Sequence, residues 1–175
     1  MRCSGNGLST IVIKHFLISS SSSSISIVII AAVPVHCPTD IVFVLDGSGS
    51  IGSTNFELVK SFLSQLVGRL DIDSGNTRVG LVVYSSGVSF TFNLNRYTTV
   101  SSVQAAISAL RYRGGGTNTA DALAYVRTTM LTLAAGDRGD VPNVVAVITD
   151  GRSNTPSATQ VFFADMQSSC LRKLA

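Results

Sequence analysis

The sequence predicts an α/β fold, a doubly wound and mostly parallel sheet flanked by helices. Two apolar runs carry this reading: Ile41-Val42-Phe43-Val44-Leu45 and Val144-Val145-Ala146-Val147-Ile148. Each has strand length and no polar alternation, as expected of a strand buried on both faces of a parallel sheet. Each also ends near an aspartate, Asp46 or Asp150. The third observation is the change of period between them. Phe56, Val59, Phe62, Leu63, Leu66, Val67 and Leu70 recur at helical spacing, so a helix packs one face on the sheet.

The remaining elements follow in order. Thr54-x-x-Glu57 reads as a capping box opening the first helix. Arg78 to Ser85 is a second strand. Val88 to Leu94 alternates apolar and polar residues, as a half-exposed edge strand does, and its short turn makes it antiparallel to its neighbour. Val103, Ala106, Ile107 and Leu110 mark a short helix, Ala120 to Leu133 another, and Pro156 to Gln167 a last one. The order is β-α-β-β-α-α-β-α, with crossover helices on both faces of the sheet.

The length of 175 residues suits one domain, and 45% hydrophobic with 13% charged residues excludes a disordered chain. The net charge is only +3, with no basic stripe interleaved with aromatics, which argues against nucleic-acid binding. The first 36 residues differ in composition. A six-serine run, Ser19 to Ser24, precedes the apolar stretch Ile25 to Val33. That stretch is short of the roughly 20 residues of a membrane-spanning helix. Its length suits the apolar core of a secretory signal, with Arg2 and Lys14 as preceding positive charge. Residues 1–36 are thus read as a signal-like or spurious segment, and any membrane association as limited to it. Residues 37–175 form the domain.

The chemistry concentrates at the ends of the two apolar runs. Asp46, Ser48 and Ser50 alternate on a glycine-loosened loop, and Asp150-Gly151 closes the later strand. Gly114-Gly115-Gly116-Thr117-Asn118-Thr119 is a flexible loop bearing hydroxyls. The carboxyl ends of strands are where open α/β sheets bind ligands. Asp46, Ser48, Ser50, Thr117 and Asp150 offer only hard oxygen donors, which points to Mg²⁺, with Mn²⁺ or Ca²⁺ as alternatives, rather than zinc. Gly47-Ser48-Gly49-Ser50-Ile51-Gly52 also matches a dinucleotide fingerprint. However, Asp71 and Asp73 follow a helix instead of ending a second strand, and Asp46 would repel a pyrophosphate. Hydrolytic chemistry lacks a base, because His15 and His36 both precede the first strand of the domain. The chain is not expected to be an enzyme.

Asp46-x-Ser48-x-Ser50, Gly115-Gly116-Thr117-Asn118-Thr119 and Thr149-Asp150-Gly151, in this order, resemble the von Willebrand factor type A domain and its metal-ion-dependent adhesion site. The likeness runs from about Thr39 to about Thr159, and Asp40 to Ser86 looks most like the A domains of matrilins and non-fibrillar collagens. The resemblance implies a secreted matrix module. In it a cation on Asp46, Ser48, Ser50, Thr117 and Asp150 accepts a carboxylate from an extracellular matrix protein, possibly a collagen. An alternative within the family is a metal-independent protein-interaction surface.

The resemblance also sets the first and fourth strands of the domain side by side. It implies further strand–helix units beyond Asp150, so the domain is expected to be incomplete at its C-terminus, with its fourth strand unpaired along one side. Family members often place half of a disulfide near Cys37. The pairing of Cys3, Cys37 and Cys170 stays open, a free thiol at Cys170 included. Two further features stand outside the cluster. Arg138-Gly139-Asp140 is an RGD tripeptide, read here as a polar turn at the end opposite the cation site. Arg111 and Arg113 flank Tyr112 before the glycine loop and are read as a solvated basic loop, with steering of an acidic partner toward the cation as the alternative.

Overall fold

The structure, a computed structural model, describes residues 38–150 and 153–161 together with the backbone of residues 16–20 and 23–31. The elements are β1 (Phe16–Ser20), β2 (Ser23–Ala31), β3 (Thr39–Asp46), α1 (Gly52–Val67), β4 (Thr77–Tyr84), β5 (Val88–Phe92), α2 (Val100–Ser108), α3 (Thr119–Tyr125) and β6 (Asn143–Thr149). They build one sheet in the order β1-β2-β6-β3-β4-β5. β3 pairs in parallel with both β4 and β6, and β5 returns antiparallel to β4. The expected mixed, mostly parallel four-strand unit is therefore present, with β3 and β6 adjacent.

Period two on a doubly buried strand divides the side chains between two cores. Phe43 and Leu45, Leu81 and Val83, and Ala146 and Ile148 face Phe56, Val59 and Leu63 of α1 and Val103 and Ile107 of α2. Val42, Val44, Val82, Val145 and Val147 face Ala122 and Leu123 of α3 and the following Val126 and Met130. Helices thus cover both faces, as the doubly wound reading requires. Gly80 of β4 makes one close approach possible: a β-carbon there would lie 2.8 Å from the Met130 methyl. None of the described helices is long and apolar enough to cross a membrane.

Several local expectations are corrected. α1 begins at Gly52, so Thr54 and Glu57 lie within its first two turns, and its N-cap Ile51 supplies no side-chain cap. Fully buried Ile51 anchors the helix start instead, and Glu57 pairs with Lys60 at 3.0 Å. A capping box does open α2, between Thr99 and Ser102. The helix expected over 120–133 is α3 followed by a π-turn, Val126–Met130, and a short 3-10 turn, Leu133–Ala135. There Thr128 Oγ1 donates to the Ala124 carbonyl, the local bond by which threonine competes with a regular helix. β5 ends at Phe92, two residues early. Of the last helix, residues 156–161 are helical, and 162–167 lie outside the described residues, as do all three cysteines.

The expectation of an unpaired edge on β6 is also corrected. The backbone of β2 runs antiparallel along β6, from Ser26 opposite Thr149 to Ala31 opposite Val144, and β1 folds back on β2 as a hairpin. The apolar stretch read as a signal core thus has extended backbone filling the ladder positions of β6, which an open strand edge favours.

At the amino end of β3, Asp40 is fully buried. It accepts hydrogen bonds from the Arg138 backbone N–H at 2.8 Å and from Arg138 Nε at 2.9 Å. The guanidinium also lies 2.7 Å from Oδ1 and donates to the carbonyls of Thr39, Gly75 and Asn76. The arginine of the RGD tripeptide is therefore committed to holding strand ends together. Removing it strands a buried charge, which costs about 3–5 kcal/mol. Arg138→Ala is expected to lower the melting temperature by roughly 10 °C, as read by thermal circular dichroism.

Candidate metal centre

The parallel pairing of β3 and β6 brings Leu45 beside Ile148, so both strands end at the same level of the sheet. Asp46 closes β3 and Asp150 follows β6 directly. The chain turns sharply after Asp46, held by Gly47 N–H donating to the Tyr84 carbonyl at 2.7 Å. Ser48 N–H then donates back to Asp46 Oδ1 at 2.8 Å, the aspartate turn that its short side chain favours. Thr149 Oγ1 donates to the other oxygen, Oδ2, at 2.6 Å.

From there a line of oxygens runs outward. Ser48 Oγ lies 3.1 Å from Ser50 Oγ, and Ser50 Oγ donates to Asp150 Oδ1 at 3.0 Å. Burial grades along this line, with Asp46 only 3% and Ser48 1% accessible, Asp150 half-buried and Ser50 exposed. Four of the five sequence-derived ligands are thus joined by hydrogen bonds. Thr117 comes to the same place through its loop. Gly49 N–H donates to the Gly115 carbonyl at 2.8 Å, and the Thr117 carbonyl accepts from Asn154 N–H at 2.9 Å. Thr117 itself is buried, and its hydroxyl bonds to none of the other four.

The turn after β4 braces the glycine loop. Asn118 N–H donates to the Ser85 carbonyl and Gly116 N–H to Ser86 Oγ. A β-carbon on Gly116 would lie 2.8 Å from Asn154 Nδ2 and 3.3 Å from Ser86 Oγ, so a side chain there would displace the ends of these two side chains. Thr149, Ser85, Ser86 and Asn154 are site residues that the motif alone did not single out. Thr149 was legible only as the neighbour of Asp150, and the serines only as the end of a strand.

Burial raises the Asp46 pKa above its ordinary value. Hydrogen bonds from Thr149 and Ser48 oppose the rise, and the nearby Asp150 charge adds to it. The Tyr84 phenol is raised as well, first by burial and then by the Asp46 charge. Among the described residues, no cationic side chain contributes to the Asp46 balance. The donors are two carboxylates and three hydroxyls, and among the described residues no cluster of three His, Cys, Asp or Glu forms. An oxygen-only set with a buried carboxylate that no described cation neutralises fits a hard divalent cation. The RGD tripeptide lies at the other end of the sheet, while Arg111 and Arg113 are exposed beside the glycine loop.

Comparison with known proteins gives a consistent picture. The family model for the von Willebrand factor type A domain matches residues 40–169. Human matrilin-1 is 44% identical over 115 residues, which is 66% of this chain and 23% of that protein. Mouse collagen alpha-4(VI) chain is 43% identical over 119 residues, 67% of this chain and 5% of that protein. This chain therefore spans a quarter or less of these relatives. Among solved structures, proximal thread matrix protein 1 from the mussel byssus superposes with a TM-score of 0.71 at 27% identity, covering 77% of this chain and 36% of that one. A further structure of the mussel protein, with zinc in its adhesion-site motif, superposes with a TM-score of 0.66.

Because the folded-state pKa of Asp46 is raised, its protonated form stabilises the fold. That contribution is complete below the unfolded value and is lost as pH rises through the folded one. In Asp46→Asn the amide keeps an acceptor for Ser48 N–H, and the Thr149 hydroxyl can reverse to accept. The variant is therefore expected to melt higher than the metal-free wild type at pH 7, with the advantage shrinking toward acid. Differential scanning calorimetry in a chelator across pH 4–7 reads both effects.

Proposed function

The chain belongs to the von Willebrand factor type A domain family, and from that premise we propose that it is an extracellular matrix adhesion module that engages a partner protein through a divalent cation. The observation that carries this reading is the convergence of three sequence-distant loops around Asp46, a buried carboxylate with no cationic neighbour among the described residues. Matrix proteins make up the relatives, matrilin-1, collagens and vitrin, which are secreted. The mussel protein with zinc in the same type of motif supports cation binding by this architecture.

In this reading each residue has a separate task. Asp46, buried at the end of β3, supplies fixed negative charge, oriented by Thr149 and the Ser48 N–H. Ser48 and Ser50 supply neutral oxygens on one turn. Thr117 adds a hydroxyl from a loop hinged on glycines, and Asp150 contributes the second acid. Mg²⁺ is the preferred occupant by donor hardness, with Mn²⁺ or Ca²⁺ as alternatives. A bound ion supplies a Lewis-acidic position that two acids leave under-neutralised, so that a partner carboxylate, from a collagen for example, is attracted. Arg111 and Arg113, exposed at the rim, favour the approach of an acidic segment.

Titration with Mg²⁺ or Mn²⁺ by calorimetry, with parallel thermal melts, tests the site. Saturable binding and a stability gain of about 2.7 kcal/mol at a hundredfold excess over Kd are expected. Ser48→Ala with Ser50→Ala should weaken cation affinity at least about tenfold, since each loses a ligand oxygen. Binding to immobilised collagen is expected to vanish in EDTA. Collagen binding that persists in EDTA would replace this reading with metal-independent recognition through another surface.

A further inference from the structure

The geometry assigns to Tyr112 the role of a positioning residue, whose hydroxyl locks the serine loop of the cation site to the glycine loop that carries Thr117. The inference rests on the cation reading above and goes beyond it, because Tyr112 contributes no ligand. Its phenol donates to the Ser48 carbonyl at 3.2 Å and lies 3.5 Å from the Gly49 carbonyl. These are the backbone oxygens of the turn whose hydroxyls, on Ser48 and Ser50, point along the line toward Asp150. Two residues further on, Gly114 turns with φ +70°, and a β-carbon there would sit 3.4 Å from the same phenol oxygen. The next residue, Gly115, accepts the Gly49 N–H at 2.8 Å.

Two struts therefore cross between the loops. One is a backbone bond that no side-chain substitution removes, and the other is the Tyr112 hydroxyl. The ring has a separate function: it packs against Phe56, with centroids 5.8 Å apart, and against the core beneath α1. Phenylalanine at this position keeps that packing and deletes only the strut. Without it the serine turn is held to the glycine loop at Gly49 alone. The relative placement of Ser48, Ser50 and Thr117 then has to be fixed by the cation itself, at a cost to affinity.

Tyr112→Phe is expected to weaken Mn²⁺ binding by about five- to tenfold, the equivalent of one modest hydrogen bond. The melting temperature in chelator should stay within a degree or two of wild type, which a purely structural role would not allow alongside weakened binding. Tyr125→Phe, at the end of α3 with its hydroxyl 3.5 Å from Thr91 of β5, serves as the control and should bind as wild type. In a Ser50→Ala background the Tyr112→Phe effect should shrink, because the turn it positions has lost its outer hydroxyl. Wild-type affinity in Tyr112→Phe would overturn the assignment, as would a loss that appears in full in the Ser50→Ala background. Absence of Mn²⁺ binding by the wild-type chain would instead overturn the cation reading, and this assignment with it.

Discussion

The parallel pairing of β3 with β6 is the constraint on which the rest depends. Strands about a hundred residues apart in sequence are placed side by side, in a register that ends both at one level. The strand-end acids Asp46 and Asp150 become neighbours through backbone hydrogen bonding rather than through any attraction of their own. Like charges would otherwise separate. The apolar side chains of both strands, buried in two cores on opposite faces, supply the free energy that holds them together.

β3 carries a buried carboxylate at each end, and the two are treated differently. Asp40 meets the Arg138 guanidinium at 2.7 Å, and that arginine also bonds three backbone carbonyls, so the charge is neutralised within the fold. Among the described residues Asp46 meets only hydroxyl and amide donors, with a second carboxylate nearby. Burial without a countercharge is costly, and proteins retain it where an external group completes the site. The contrast also accounts for the RGD tripeptide. Its arginine is the countercharge of Asp40, so the motif reads as structure at the amino end of the sheet.

The loops at the carboxyl end form a mutually braced set. The serine turn bonds to the glycine loop through Gly49 and Tyr112, the glycine loop to the β4–β5 turn through Ser85 and Ser86, and residues 153–154 to the Thr117 carbonyl. Each loop is short on side-chain bulk, and the bonds are largely backbone. At Gly116 a β-carbon would press on the Asn154 and Ser86 side chains that brace the loop. The candidate centre is thus held by the loop framework, with hydroxyls and carboxylates left as its candidate donors.

Much of this architecture was legible in the sequence because it rests on local pattern. Uninterrupted apolar runs gave β3 and β6, period 3.6 gave α1, and the D-x-S-x-S turn with its glycine and aspartate partners gave the candidate ligands. The capping box at Thr54 was misplaced because Ile51, a core residue, set the helix start. The long helix after Thr119 broke into α3 and a π-turn where Thr128 Oγ1 bonds the Ala124 carbonyl. The sequence by itself determined which residues form the buried strands and which oxygen-bearing side chains are candidate ligands, since both follow from side-chain chemistry and spacing. Only the tertiary structure decided that Thr149 orients Asp46, that Tyr112 ties two loops, that Arg138 answers Asp40, and that β2 lies along β6. Those contacts join residues far apart in the chain, and their partners are chosen by strand register and loop closure, which no local pattern encodes.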